Sequence, residues 1–148
     1  MNPDQTSGGL LHTLRFPIRW GDMDAWAHVN NTLYLRYFEE SRVSWSQRKG
    51  LRMQADGPGM ILAKVSATFM KPVSYPANVV VDLYAGRIGN SSFTLRQTLT
   101  VEGETAPSAT GDCVIVWYDH MKNRAVPVPD NLRAILEGRT NEPTRNGG

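Results

Sequence analysis

Residues 20–31, WGDMDAWAHVNN, gather two aspartates, a histidine and two asparagines directly ahead of an aromatic-rich stretch. An ionised carboxylate at neutral pH can attack a carbonyl carbon or take a proton from water. A histidine can orient a substrate or move a proton. Asparagine is a preferred N-cap, and the first N–H groups of a helix have no intrahelical acceptors. The helix dipole adds about half a positive charge at that end, which favours an oxygen gaining negative charge. A carboxylate in the loop before such a helix, Asp22 or Asp24, would face whatever group those N–H groups hold. By residue type alone, the commoner reading is a turn whose aspartates bond neighbouring amides. The chemistry therefore rests on what the segment is attached to.

Other residue sets supply less. Asp22 reads as a stabiliser of the loop. Asp22, Asp24 and His28 sketch only a weak metal site, because no second ligand cluster follows. Cys113 and His120 are seven positions apart, which puts them on opposite faces of an unbulged strand, so Cys113 reads as a small core residue. No G-x-S-x-G elbow is present for a serine nucleophile. Around residues 89–92, the amides of Asn90, Ser91 and Ser92 together with Arg87 and Lys71 suit an anionic group, as solvated turn residues also would.

The elements that must position these residues follow from periodicity. Residues 11–20 alternate Leu14, Phe16, Ile18 and Trp20 against His12, Arg15 and Arg19, a strand that Pro17 confines to an edge or a bulge. Asn30 or Asn31 caps a helix running to about residue 49, with Gly50 as its stop. Its stripe of Tyr34, Tyr37, Phe38, Ser41 and Trp45 recurs at steps of three and four, a wide face for a sheet to cover. That stripe is mostly packing, with Tyr34 placed to line a pocket near the helix start. Strands are expected over 60–70, 78–88, 91–101 and 110–118, with Gly89-Asn90 turning a hairpin. A short helix over 131–137 follows. One helix and consecutive antiparallel strands imply an α+β fold. The expected organisation is a loose arm over 1–10, one domain over 11–137 and a disordered tail over 138–148.

Composition narrows the function. A net charge of +2 with no basic block gives no footprint for nucleic acid. The single cysteine excludes an internal disulfide. No apolar run approaches the roughly 20 residues that cross a bilayer, and no basic start leads into an apolar stretch. The expectation is a reduced, cytoplasmic location without membrane association.

Residues 20–24 (WGDMD), 28–31 (HVNN) and 34–39 (YLRYFE) together resemble the hotdog-fold acyl-CoA thioesterases of the 4-hydroxybenzoyl-CoA thioesterase-like group. Residues 71–73, 88–92 and 126–129 add to the resemblance. It implies an antiparallel sheet wrapped around one long central helix. It also implies hydrolysis of an acyl-CoA thioester to free acid and CoA, with no metal or cofactor beyond the CoA of the substrate. The second aspartate of the pair, Asp24, maps onto the catalytic carboxylate, and the backbone N–H near Asn31 onto the carbonyl-polarising donor. The turn carrying Asn90, Ser91 and Ser92 maps onto the part that meets CoA, and His28, Asn30 and Tyr34 are the further candidates for substrate contact. Relatives are homodimers or homotetramers with sites between subunits, and a partner's helix glutamate, here Glu39 or Glu40, is the rival carboxylate. An acyl-CoA hydratase or dehydratase of the same fold and a non-catalytic acyl-CoA or acyl-carrier-protein binder are the alternatives. Relatives often carry glycine where this chain has Ala25, Trp26 and Ala27.

Overall fold

The computed structural model describes residues 8–51 and 54–139. Most of the expected arm and tail, residues 1–7 and 140–148, lies outside them. The elements are β1 (Leu10–Pro17), a 3-10 turn (Trp20–Asp22), α1 (Asn31–Arg48), β2 (Pro58–Phe69), β3 (Asn78–Ile88), β4 (Ser92–Val101), β5 (Ala109–Asp119), β6 (Arg124–Ala125) and α2 (Asp130–Leu136). The strands form one sheet in the order β1-β3-β4-β5-β2, with the short β6 on β5. Every pairing is antiparallel. Among the described residues no helix is long and apolar enough to cross a membrane.

Alternation along the central strands decides which face the helix covers. Val79, Val81, Leu83 and Ala85 of β3, with Phe93, Leu95, Gln97 and Leu99 of β4, are buried, while the residues between them are half-buried or exposed. Against this face α1 lays Tyr34, Tyr37, Phe38, Ser41 and Trp45, the stripe its spacing requires. The core divides along the helix. Tyr34, Tyr37 and Phe38 pack with Val29, Val73, Val79 and Leu99 near its start. Trp45 packs near its end with Phe93, Cys113, Trp117 and the α2 residues Leu132 and Leu136. Gln97 joins the halves: its Nε2 donates to the Phe38 carbonyl at 2.8 Å and its Oε1 accepts from Arg42 Nη1 at 3.0 Å. Cys113 is a core residue, and burial pushes its thiol pKa up.

Both ends of α1 close with local chemistry. Asn30 caps the start, its Oδ1 accepting from Thr32 N at 2.9 Å. At the other end Gly50 takes φ +66°, Gly50 N donates to the Gln47 carbonyl, and Leu51 N donates to that of Ser46. These paired bonds satisfy carbonyls the last turn would leave open.

The first strand is shorter than its alternation implies. It ends at Pro17, which has no N–H for the ladder, and Ile18 N turns instead to the Ala77 carbonyl at 2.9 Å. Trp20 therefore does not continue the inward series; it sits in the 3-10 turn and is 73% exposed. At the far edge β2 exposes Leu62, Val65 and Phe69. The chain leaves β2 at that edge and re-enters the sheet beside β1, so residues 70–77 pass the start of α1, where Val29 N bonds the Val73 carbonyl at 2.8 Å.

Candidate active site

The segment between the 3-10 turn and α1 is a small closed loop. Met23 and Val29 form an antiparallel bridge, Asp24 N donates to the His28 carbonyl at 2.9 Å, and Ala27 N donates to the Asp24 carbonyl at 3.0 Å. Closing so few residues needs a left-handed backbone at Ala27, φ 60°, a conformation costly for any residue with a Cβ. Trp26 N donates to Asp24 Oδ1 at 2.9 Å, which fixes the carboxylate and leaves Oδ2 free of that bond. Ser74 Oγ donates to the Ala27 carbonyl and Tyr75 N to the Met23 sulfur, so the 70–77 crossing holds the loop from outside.

The two aspartates have different surroundings. Asp22 Oδ2 accepts from Arg19 N at 3.0 Å and from the Tyr37 hydroxyl at 2.6 Å. Burial, then the bond to Asp22, hold the Tyr37 phenol well above the usual tyrosine range. Asp24 instead faces a cleft of about 380 Å³. Asp24, Trp26, His28 and Val29 line it from the loop, Asn31 and Tyr34 from the start of α1, and Phe69, Met70, Lys71 and Pro72 from the end of β2 and the crossing. That volume is within the usual range for a small-molecule site.

The start of α1 gives this cleft its polarity. Thr32 N goes to Asn30 Oδ1 and Leu33 N to the Asn30 carbonyl at 2.9 Å. The N–H of Asn31, the first helical residue, has no carbonyl a turn earlier within the helix to accept it. Tyr34 is 3% exposed and meets Phe69 edge-on at 5.0 Å and Tyr37 at 6.2 Å, so the cleft floor is aromatic. Burial raises the Tyr34 phenol pKa. Lys71 carries the wall's cation, but Glu104 Oε2 already pairs with its Nζ at 2.9 Å.

Asp24, His28, Asn31 and Tyr34 thus meet in one cleft. Asn30 is next to it, its side chain occupied as the cap. Asn90, Ser91 and Ser92 are elsewhere: they turn β3 into β4 at the opposite end of the sheet, roughly 30 Å away along β3 at about 3.3 Å per residue. There the Asn90 carbonyl accepts from Val128 N, the Ser91 carbonyl from Trp117 N, and Arg133 Nη2 reaches the Gly89 carbonyl at 2.8 Å. Glu39 and Glu40 are exposed, Glu39 pairing with Arg36 at 3.3 Å, and neither lines the cleft. Among the described residues no three His, Cys, Asp or Glu are grouped to hold a metal ion. Phe69, Met70 and Pro72 escaped the sequence reading because they lie some forty positions from Asp24. The signals near them were the proline that follows the strand expected over 60–70 and the match of residues 71–73 to the family pattern.

Comparison with known proteins bears on this geometry. The model of the thioesterase-like superfamily matches residues 18–136. The PA2801 protein of Pseudomonas aeruginosa, a candidate thioesterase, is 46% identical, with a TM-score of 0.81 covering 85% of this chain and 98% of that one. A 1,4-dihydroxy-2-naphthoyl-CoA thioesterase from Synechocystis shares the fold at 17% identity, with a TM-score of 0.78 over 86% of this chain and 96% of its own. The uncharacterized protein YsmA of Bacillus subtilis is 25% identical over 120 residues, 80% of each chain.

Proposed function

The chain belongs to the thioesterase-like superfamily, and from that membership we propose that it hydrolyses an acyl-CoA thioester to the free acid and CoA. Its sheet around one long helix is the hotdog fold of its structural relatives. Family membership supports thioester hydrolysis as the reaction class. The acyl-CoA substrate and the residue roles are our reading. What supports it most is that Asp24 and Asn31 line the same cleft.

In this reading the Asn31 N–H, backed by the dipole of α1, grips the thioester carbonyl oxygen and stabilises the charge it gains. Asp24 faces the carbonyl carbon. Its Oδ1 is held by Trp26 N, and Oδ2 serves direct attack and proton removal from an attacking water alike. CoA leaves as a thiolate, so no strong general acid is required. His28 and Tyr34 contact the acyl group between the aromatic floor and Trp26. A cytoplasmic location and the absence of a resident cofactor belong to the same reading.

The active unit is a homodimer, the smallest assembly the reading needs, with β2 edges paired. β2 is a 12-residue edge strand with Leu62, Val65 and Phe69 exposed, a surface suited to pairing with another strand. Pro58 of β2 lies opposite Asp119, and Ser92 of β4 opposite Val116, so the start of β2 and the turn at residues 89–92 share one end of the sheet. Antiparallel pairing sets that end of one subunit beside the Phe69 end of the other. Asn90, Ser91 and Ser92 then approach the cleft from the partner side, where the CoA portion would emerge.

The test is a panel of aliphatic and aromatic acyl-CoAs scored by free-thiol release. Wild type should cleave at least one of them, and Asp24→Asn should lower kcat by roughly a thousandfold or more. Glu39→Gln and Glu40→Gln should leave the rate close to wild type. Equal rates for wild type and Asp24→Asn would remove Asp24 from the chemistry.

A further inference from the structure

Asp22 does not line the cleft, yet the parts of the site are tied together through it. Its carbonyl accepts from Asn30 N at 3.0 Å, one residue before the donor at Asn31. Its Oδ2 accepts from Arg19 N, which closes the 3-10 turn, and from the Tyr37 hydroxyl at 2.6 Å, the length of a charge-assisted bond. Tyr37 is itself fixed: it is 7% exposed, with Phe16 of β1 edge-on at 5.1 Å and Tyr34 of the cleft floor at 6.2 Å. Asp22 is therefore bonded to the cap of α1 through its main chain and to the next turns of α1 through its side chain. Asp24 follows two residues later, so its place relative to the helix start is set through these bonds.

We propose that Asp22 and Tyr37 are a positioning pair that fixes the Asp24 carboxylate against the first N–H of α1, with Asp22 acting as a hydrogen-bond acceptor and not as an acid or base. The inference rests on the role given above to Asp24. Both donors reach the same oxygen of Asp22, so one neutral acceptor can replace the carboxylate. The raised Tyr37 phenol pKa keeps the hydroxyl a donor throughout the neutral range. Loss of a merely stabilising contact would lower the melting temperature and leave the turnover of folded protein alone. Positioning changes kcat, because small displacements between reacting groups are costly.

Tyr37→Phe, Asp22→Ala and Asp22→Asn, each assayed well below its own melting temperature, separate these roles. Tyr37→Phe and Asp22→Ala should lower kcat by roughly tenfold to a hundredfold with KM little changed, and Asp22→Asn should restore most of the loss. Hydrogen exchange supplies a second readout: the Trp26 and Asn30 amides should exchange faster in Tyr37→Phe and Asp22→Ala than in wild type or Asp22→Asn. Unchanged kcat in folded Tyr37→Phe overturns the proposal, as does an Asp22→Asn as slow as Asp22→Ala. If wild type cleaves no thioester, the functional reading fails by itself. Exchange then decides the pair, and unaltered Trp26 and Asn30 amides in Tyr37→Phe overturn it.

Discussion

Asp24 and Asp22 are two positions apart and chemically identical, and only their surroundings separate them. Asp22 is consumed by Arg19 N and Tyr37, while Asp24 spends Oδ1 on Trp26 N and turns toward the cleft. Ala27 is the residue on which that loop is strained. A left-handed alanine costs roughly 1–2 kcal/mol, whereas glycine there gives up about 0.5–1 kcal/mol of chain entropy. Ala27 is exposed, so no packing is lost with its methyl group. Ala27→Gly should therefore raise stability, by at most about 1.5 kcal/mol, read from urea unfolding midpoints at unchanged m-value. A destabilised Ala27→Gly would show that the loop is not strained at this residue.

At the scale of elements, α1 and the edge strand β1 are joined by His12. Its Nε2 meets Ser44 Oγ at 2.9 Å, and burial, then the positive charges of Arg48 and Lys49, lower its pKa from the ordinary 6.5. A group depressed in the folded state stabilises the fold above its unfolded pKa and loses that contribution as pH falls through the folded value. The melting temperature should thus fall as pH drops below about 6.5, and less steeply in His12→Gln, which keeps a polar partner for Ser44 without a titrating ring. Parallel slopes for the two proteins would remove His12 from the acid response. The elements themselves were largely legible: the stripe from Tyr34 to Trp45 and the alternation over β3 and β4 each carry one strong period. The end of β1 was not, since alternation continued through Ile18 and Trp20 while Pro17 had already closed the ladder.

For the whole molecule, β2 is the open question that the fold poses to its surroundings. A long strand with unpaired backbone groups and exposed apolar side chains invites pairing, and Phe69 belongs at once to this edge and to the cleft wall. Val65→Lys places a charge on the proposed seam without touching the core, as Val65 is exposed. It should weaken self-association by about 2 kcal/mol or more, roughly thirtyfold in Kd. Sedimentation equilibrium should then show wild type as two chains at concentrations where the variant is one. Thioester cleavage per chain should fall with the dimer fraction. Identical association of the two proteins would place the interface elsewhere.

The sequence by itself determined the α+β pattern, the helix with its cap and stop, the inward strand residues and the loop that carries Asp24, because each is written in local spacing and local hydrogen bonding. The family pattern in residues 20–39 added the reaction class. Tertiary structure alone decided that residues 69–72 close the cleft and that Asp22 binds Tyr37. It also decided that Asn90, Ser91 and Ser92 lie at the far end of the sheet. Those are long-range outcomes of strand order and of a crossing past the start of α1, and no periodicity within a short window encodes where distant segments meet.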